Sequence, residues 1–259
     1  MMRMLLLAGA ALLAGGAAPS PEGKVVASID LAKPFAARSP WRLTATQGPD
    51  VEGISGDREP GAIALCLSKD AGRSCQPGLA DLLLEGAGRD LFSDPHYLNA
   101  AEIVHPVAGK ALLLLRVASV YSGNGNQRLA TRLLAYDPAK DGFVTAYAQR
   151  TGHNNNEEVR YVADGALKGA MIFAEPTGDA PFGYWISVSR PDAALRYRQV
   201  LRFRSATIYG DGNPLAVIDS EMPNLQQRLG LWRPGKPLPL PAGRACPKPH
   251  LVKSVLWCS

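Results

Sequence analysis

The chain of 259 residues carries 28 Lys and Arg against 23 Asp and Glu, a formal charge of +5, and 46% of its residues are apolar. So small a basic excess, without basic and aromatic residues interleaved on one face, argues against a nucleic-acid partner. It leaves either plain solubility or an anionic partner.

The opening residues, "MMRMLLLAGAALLAGGAAPSPEGK", follow the order of a secretory signal: Arg3, an apolar run from Leu5 to Ala14, then the small residues Gly16, Ala17 and Ala18. The run is shorter than the roughly 20 apolar residues of a membrane span, and no later stretch reaches that length, so no transmembrane segment is expected. Residues 1–18 are read as a signal peptide and 19–259 as one β-rich domain of 241 residues, which is enough for a sizeable core. "LLAGG" approaches a bacterial lipobox, but Gly16 stands where the lipidated cysteine belongs. The expected address is periplasmic or secreted, and not that of a lipoprotein.

Strand signals begin with "KVVASIDL", "WRLTAT" and "AIALCLS". Between the latter two, "GISGD" around Ser55 starts like a nucleophile elbow and lacks its last glycine. Four cysteines in an exported chain favour disulfides. Local pairing, Cys66 with Cys75 and Cys246 with Cys258, is expected over a zinc site, because no Cys-x-x-Cys pair is present. "GLADLLLEGAG", residues 78–88, is the one plausible helix, cut short by Gly86 and Gly88.

From residue 111 the strand signals are "ALLLLRVASV", "RLATRLLAYD", "FVTAYAQ", "EVRYVAD", "GAMIFAE", "YWISVSR" and "YRQVLRFRSA", separated by Gly-, Asn- and Pro-rich turns. "TGHNNNEEVRY" offers His153, Glu157 and Glu158 as a metal ligand or general acid. The same residues suit a turn, since asparagine tolerates left-handed backbone. In the strand that follows, Glu157, Val159 and Tyr161 fall on one face and Glu158, Arg160 and Val162 on the other, so the two glutamates point apart. The turn reading is preferred.

"RLLAYDPAKDGFVTAYAQ" and "YWISVSRPDAALRYRQVL" repeat a strand, turn, strand pattern about 53 residues apart, as the outer hairpins of propeller blades do. In "APFGYWIS", Phe182, Tyr184 and Trp185 are candidates for stacking on a sugar, with at least one ring reserved for the core. Strict alternation in "RYRQVLRFRSAT" puts Arg198, Arg202 and Arg204 on one face. There they would grip a polyanion or pair with Glu158, Asp219 or Glu221 on neighbouring strands.

"YGDGNPLAVIDSE" resembles the opening strand of FG-GAP-type β-propellers, a likeness that extends over residues 110–221. It implies calcium, with Asp211, Asn213 and Asp219 as the oxygen donors left to hold it. The family's Asp-x-Asp-x-Asp-Gly loop is missing here. Residues 111–258 are also similar to uncharacterised exported bacterial proteins, a resemblance that implies no activity. Read as a strand, "IDSEM" places Asp219 and Glu221 on one face about 7 Å apart, a carboxylate spacing that serves glycoside hydrolysis. The proline-rich residues 233–249 are expected to run extended, delivering 250–258 as a closing strand.

Together these features predict an all-β protein of about a dozen short antiparallel strands with little helix, arranged as a propeller or a sandwich. The leading functional expectation is a non-catalytic exported protein that binds an anionic envelope polymer or an envelope protein through Arg198, Arg202, Arg204 and Trp185. The alternatives are a glycan hydrolase using Asp219 with Glu221 or Glu157, and a purely structural or assembly protein. No cofactor is expected beyond the calcium implied at Asp211 and Asn213.

Overall fold

The structure is a computed structural model that describes residues 23–53, 56–154, 156–241 and 245–258. Residues 1–18, read as a signal, lie outside the described residues, as does Ser55. The described residues are all-β, with small antiparallel sheets, four short helical segments and no closed barrel.

Strands β1 (Lys24–Asp30), β2 (Arg42–Gln47), β3 (Val51–Glu52), β4 (Arg58–Glu59) and β5 (Ile63–Ser68) come first, with the one-turn helix α1 (Ala32–Phe35) after β1. They form a sheet of order β1-β2-β5 and a separate β3-β4 ribbon. Two four-stranded meanders follow. The central sheet is β6 (Tyr97–Val107), β7 (Lys110–Ala118), β8 (Leu129–Asp137) and β9 (Gly142–Thr151). The second is β10 (Glu158–Tyr161), β11 (Met171–Pro176), β12 (Gly183–Pro191) and β13 (Tyr197–Ile208). The two hairpins singled out by their repeated pattern are β8–β9 and β12–β13, the last pair of each meander. Helices α2 (Val217–Ser220) and α3 (Met222–Arg228) and the hairpin of β14 (His250–Val252) with β15 (Val255–Trp257) complete the chain.

The run "ALLLL" in β7 is continuous because the central sheet is covered on both faces. Leu113, Leu115 and Val117 pack toward the first sheet with Leu43, Leu65 and Leu67. Leu112 and Leu114 pack the other way, with Leu133, Met171, Val159 and Tyr197 of the second meander. Polar ties cross that seam. Arg116 Nη2 donates to the Val159 carbonyl at 2.8 Å, and Tyr197 Oη donates to the Gly169 carbonyl at 2.6 Å. Gly169 has φ +79°, and a Cβ there would lie 2.7 Å from Pro106 Cα, so only glycine allows this approach. Burial pushes the Tyr147 phenol, edge-on to Tyr197, up to about 12. The far face of the second meander is covered by α2 and α3 through Ile172, Ile186, Ile218 and Leu225.

Several expectations need correction. Residues 78–88 form turns rather than a helix, although Leu79, Leu82 and Leu83 are buried in the core beneath the first sheet. "LAVIDSE" is the start of α2, not a strand. Pro223 lacks the N–H a ladder would use and instead opens α3. Residues 250–258 form a hairpin, turning at Lys253 and Ser254 with φ 49° and 69°. Both disulfides form as expected, with Cα atoms 5.0 Å apart for Cys66–Cys75 and 4.9 Å for Cys246–Cys258.

Candidate functional site

The carboxylates considered for catalysis are engaged with the protein itself. Asp219 sits on α2, only 7% exposed, and receives a two-pronged contact from Arg160 of β10. The same guanidinium reaches Glu158 through Nε at 3.0 Å. The other oxygen of Glu158 accepts the Ile218 N–H at 3.2 Å, satisfying an orphan donor in the first turn of α2. Burial works against the Arg160 charge, but the hydrogen bond to Asp219 and the charge of Glu158 outweigh it and raise its pKa. Glu221, fully buried, accepts the N–H and hydroxyl of Thr207 at 2.7 and 2.8 Å and the Asn224 amide at 2.9 Å. Asp219 and Glu221 are therefore on helical turns with separate partners. They are not a same-face strand pair.

Glu157 is the anchor of its own loop. Its Oε2 accepts the backbone N–H groups of Gly152 at 2.6 Å and His153 at 3.1 Å. Asn154 Oδ1 accepts the Asn156 N–H at 2.9 Å, an Asx turn. Among the described residues of this loop, Gly152 takes the positive-φ backbone, φ +125°, where a Cβ would lie 2.5 Å from the Gln127 carbonyl. His153 is exposed, with Nε2 3.6 Å from Glu85. Asp211 and Asn213 close the next turn: Asp211 accepts the Asn213 N–H at 2.9 Å, and Asn213 Oδ1 accepts the Leu215 N–H at 3.0 Å. Among the described residues no three His, Cys, Asp or Glu side chains gather as a metal site. Asp219, the third implied calcium donor, is held by Arg160.

The expected arginine strip is divided. Opposite β12, Val188 faces Leu201 and Ser189 faces Gln199, so Val200 is a bulge residue. The bulge reverses the alternation, and Arg198 emerges on the opposite face from Arg202 and Arg204. Its partner is Asp192, at 3.5 Å. None of the three pairs with Glu158, Asp219 or Glu221; Arg160 has taken two of those. What remains is an open face of adjacent cross-strand rungs, Glu175–Trp185–Arg204 beside Phe173–Ser187–Arg202.

Both guanidiniums on that face lie over the Trp185 ring, Arg202 at 4.8 Å and Arg204 at 5.7 Å from its centroid. Arg202 meets Glu175 only at 3.7 Å, with the two side chains 48% and 46% exposed. Arg204 makes one long contact, 3.4 Å to the Thr177 hydroxyl, and no ion pair among the described residues. Phe182 and Tyr184 are buried in the core against α2, which leaves Trp185 as the accessible ring of the three. Sequence reasoning missed Arg160 as the organiser of the carboxylates. The available signal was its shared face with Glu158, two residues before it.

No protein-family model matches the chain, and neither a curated protein nor a solved structure matches it.

Proposed function

We propose that this is an exported, non-catalytic binding protein whose Trp185–Arg202–Arg204 face holds an anionic polymer of the cell envelope. The observation that carries the reading is the pair of exposed guanidiniums laid over one indole with no strong carboxylate partner. Cation–π contact keeps the forks in place without using their N–H donors, which stay free for phosphate, sulfate or carboxylate oxygens. An ion pair as exposed as Arg202–Glu175 contributes about 0–1 kcal/mol and yields readily to a polyanion. Export is supported by the two disulfides, which persist in oxidising compartments. No helix among the described residues is long and apolar enough to cross a membrane.

Retention of the full chain on immobilised heparin, and on lipopolysaccharide, tests this. Replacing Arg202 and Arg204 with alanine should abolish salt-sensitive retention and leave the melting temperature nearly unchanged. Undiminished retention by the double variant overturns the reading.

A further inference from the structure

A second pair of arginines lies on the central sheet, and among the described residues neither forms an ion pair. Along β8, Ala130, Arg132 and Leu134 share one face, and Ala130 and Leu134 are buried in the core beneath the first sheet. Arg132 thus occupies a position whose neighbours on that face are core residues, and its Nη1 donates to the Gly78 carbonyl at 2.7 Å. The ladder sets Ala130 against Arg150 and Arg132 against Ala148, so Arg150 is the diagonal cross-strand neighbour of Arg132. Sheets place opposite charges at such positions, because like charges repel. Here no acid intervenes. Among the described residues Arg150 has no side-chain hydrogen bond or ion pair, and Glu85, the nearby acid, is shared between Arg128 and His153 at 3.6 Å each. Burial, then the charge of Arg150, lowers the pKa of Arg132.

The two guanidiniums face an open cleft of about 460 Å³, with Leu82, Ala148, Gln149 and the Glu85–His153 pair among its walls. We propose that this cleft is a binding site for a phosphate monoester, gripped by Arg132 and Arg150. Two guanidiniums without ion pairs of their own, beside one acid that Arg128 and His153 already engage, call for a highly charged anion, and a phosphate monoester carries about −1.5 to −2 at neutral pH. Its tetrahedral oxygens serve two guanidinium forks at once, whereas a carboxylate fills one. The cleft exceeds the volume of phosphate alone, and Leu82 and Ala148 give an apolar body somewhere to rest. This site lies on a different sheet from the Trp185 face and does not depend on it.

Calorimetric titration of the full chain with inorganic phosphate, at fixed ionic strength, is the test. One phosphate per chain is expected. Arg150→Ala removes a guanidinium with no partner of its own, so the fold is kept, as an unchanged melting curve checks. It should weaken phosphate binding about tenfold or more, the scale of a lost charge-assisted hydrogen bond. Arg150→Lys, keeping charge without the fork, should fall between. The Arg202→Ala/Arg204→Ala protein should bind this phosphate as the parent does. Absence of uptake, parental affinity in Arg150→Ala, or equal affinity for acetate would each overturn the assignment.

Discussion

The two four-stranded meanders have one topology and use arginine in opposite ways. In the central sheet both faces are covered, so Arg116 is drawn into the seam and Arg132 into a cleft, where burial lowers the pKa of each. In the second meander the face of β12 and β13 turned away from α2 and α3 is open, and Arg202 and Arg204 stand exposed over Trp185. The difference is one of dielectric surroundings. A charge withdrawn from water acts strongly on its neighbours, whereas an exposed one is weakened by the high dielectric of water and screened beyond about 8–10 Å at physiological salt. Changes at buried positions of the central sheet should therefore register as stability, and changes at exposed, unpaired arginines, on the open face of its counterpart or at Arg150, as binding.

The largest contrast is expected in the apolar residues. Leu133, fully buried in the seam, loses both its transfer energy and its packing when truncated, so Leu133→Ala should cost about 2–5 kcal/mol in urea unfolding. Val200, the bulge residue of β13 and 49% exposed, should change stability by within about 0.5 kcal/mol as Val200→Ala. Equal effects would mean that the two hairpins are equally buried in solution and would break the comparison.

Next in size is a contrast among arginines of the second meander itself. Arg160→Ala strands Asp219 and Glu158 beside α2. Breaking a buried pair costs about 3–5 kcal/mol, and the 31% exposure of the Arg160 side chain puts the expectation at about 3 kcal/mol. Arg204→Ala, on the open face, should shift stability by under about 0.5 kcal/mol. A melting temperature insensitive to Arg160→Ala would show that the carboxylates find water instead.

Much of this contrast was legible in the sequence, and most of the failures trace to register shifts. The unbroken "ALLLL" announced a strand, and its burial on two faces explains why it does not alternate. The alternation of "EEVRYVAD" assigned Glu158 and Arg160 to one face correctly, because β10 pairs without irregularity. Alternation failed where a bulge intervened. Strand β6, "YLNAAEIVHPV", shifts register twice and carries no clean period, so it went unnoticed. The bulge at Val200 likewise turned three apparently aligned arginines into two. Arg132 could have been noticed on the same reasoning, as a charge at an apolar-parity position between Ala130 and Leu134. "IDSEM" has the composition of a strand, and only Pro223 just beyond it hints at the helical turns.

The smallest expected effect compares the acids in the two equivalent turns. Asp141, between β8 and β9, accepts from the Ser39 hydroxyl at 2.6 Å, the Tyr136 hydroxyl at 2.8 Å, Lys69 at 3.1 Å and the Trp41 indole at 3.1 Å. The Ser39 and Tyr136 bonds, chiefly, hold its carboxyl far below the ordinary 3.8. Asp192, between β12 and β13, is lowered chiefly by the Arg196 backbone N–H, within its own turn. Both groups are depressed on folding, so their contribution is present above the unfolded value near 3.8 and is lost as pH falls through the folded value. Acidification from pH 5 toward 2 should therefore weaken both turns, but only at Asp141 does it loosen a contact with the segment before the first sheet's central strand. Asp141→Asn should lower stability at pH 7, with the gap to the parent closing as pH falls below 4. Asp192→Asn should show the same trend with a smaller gap. A gap at Asp141 that stays constant from pH 7 to 2 would mean its charge contributes nothing there, and that shape alone holds the turn against Ser39 and Trp41.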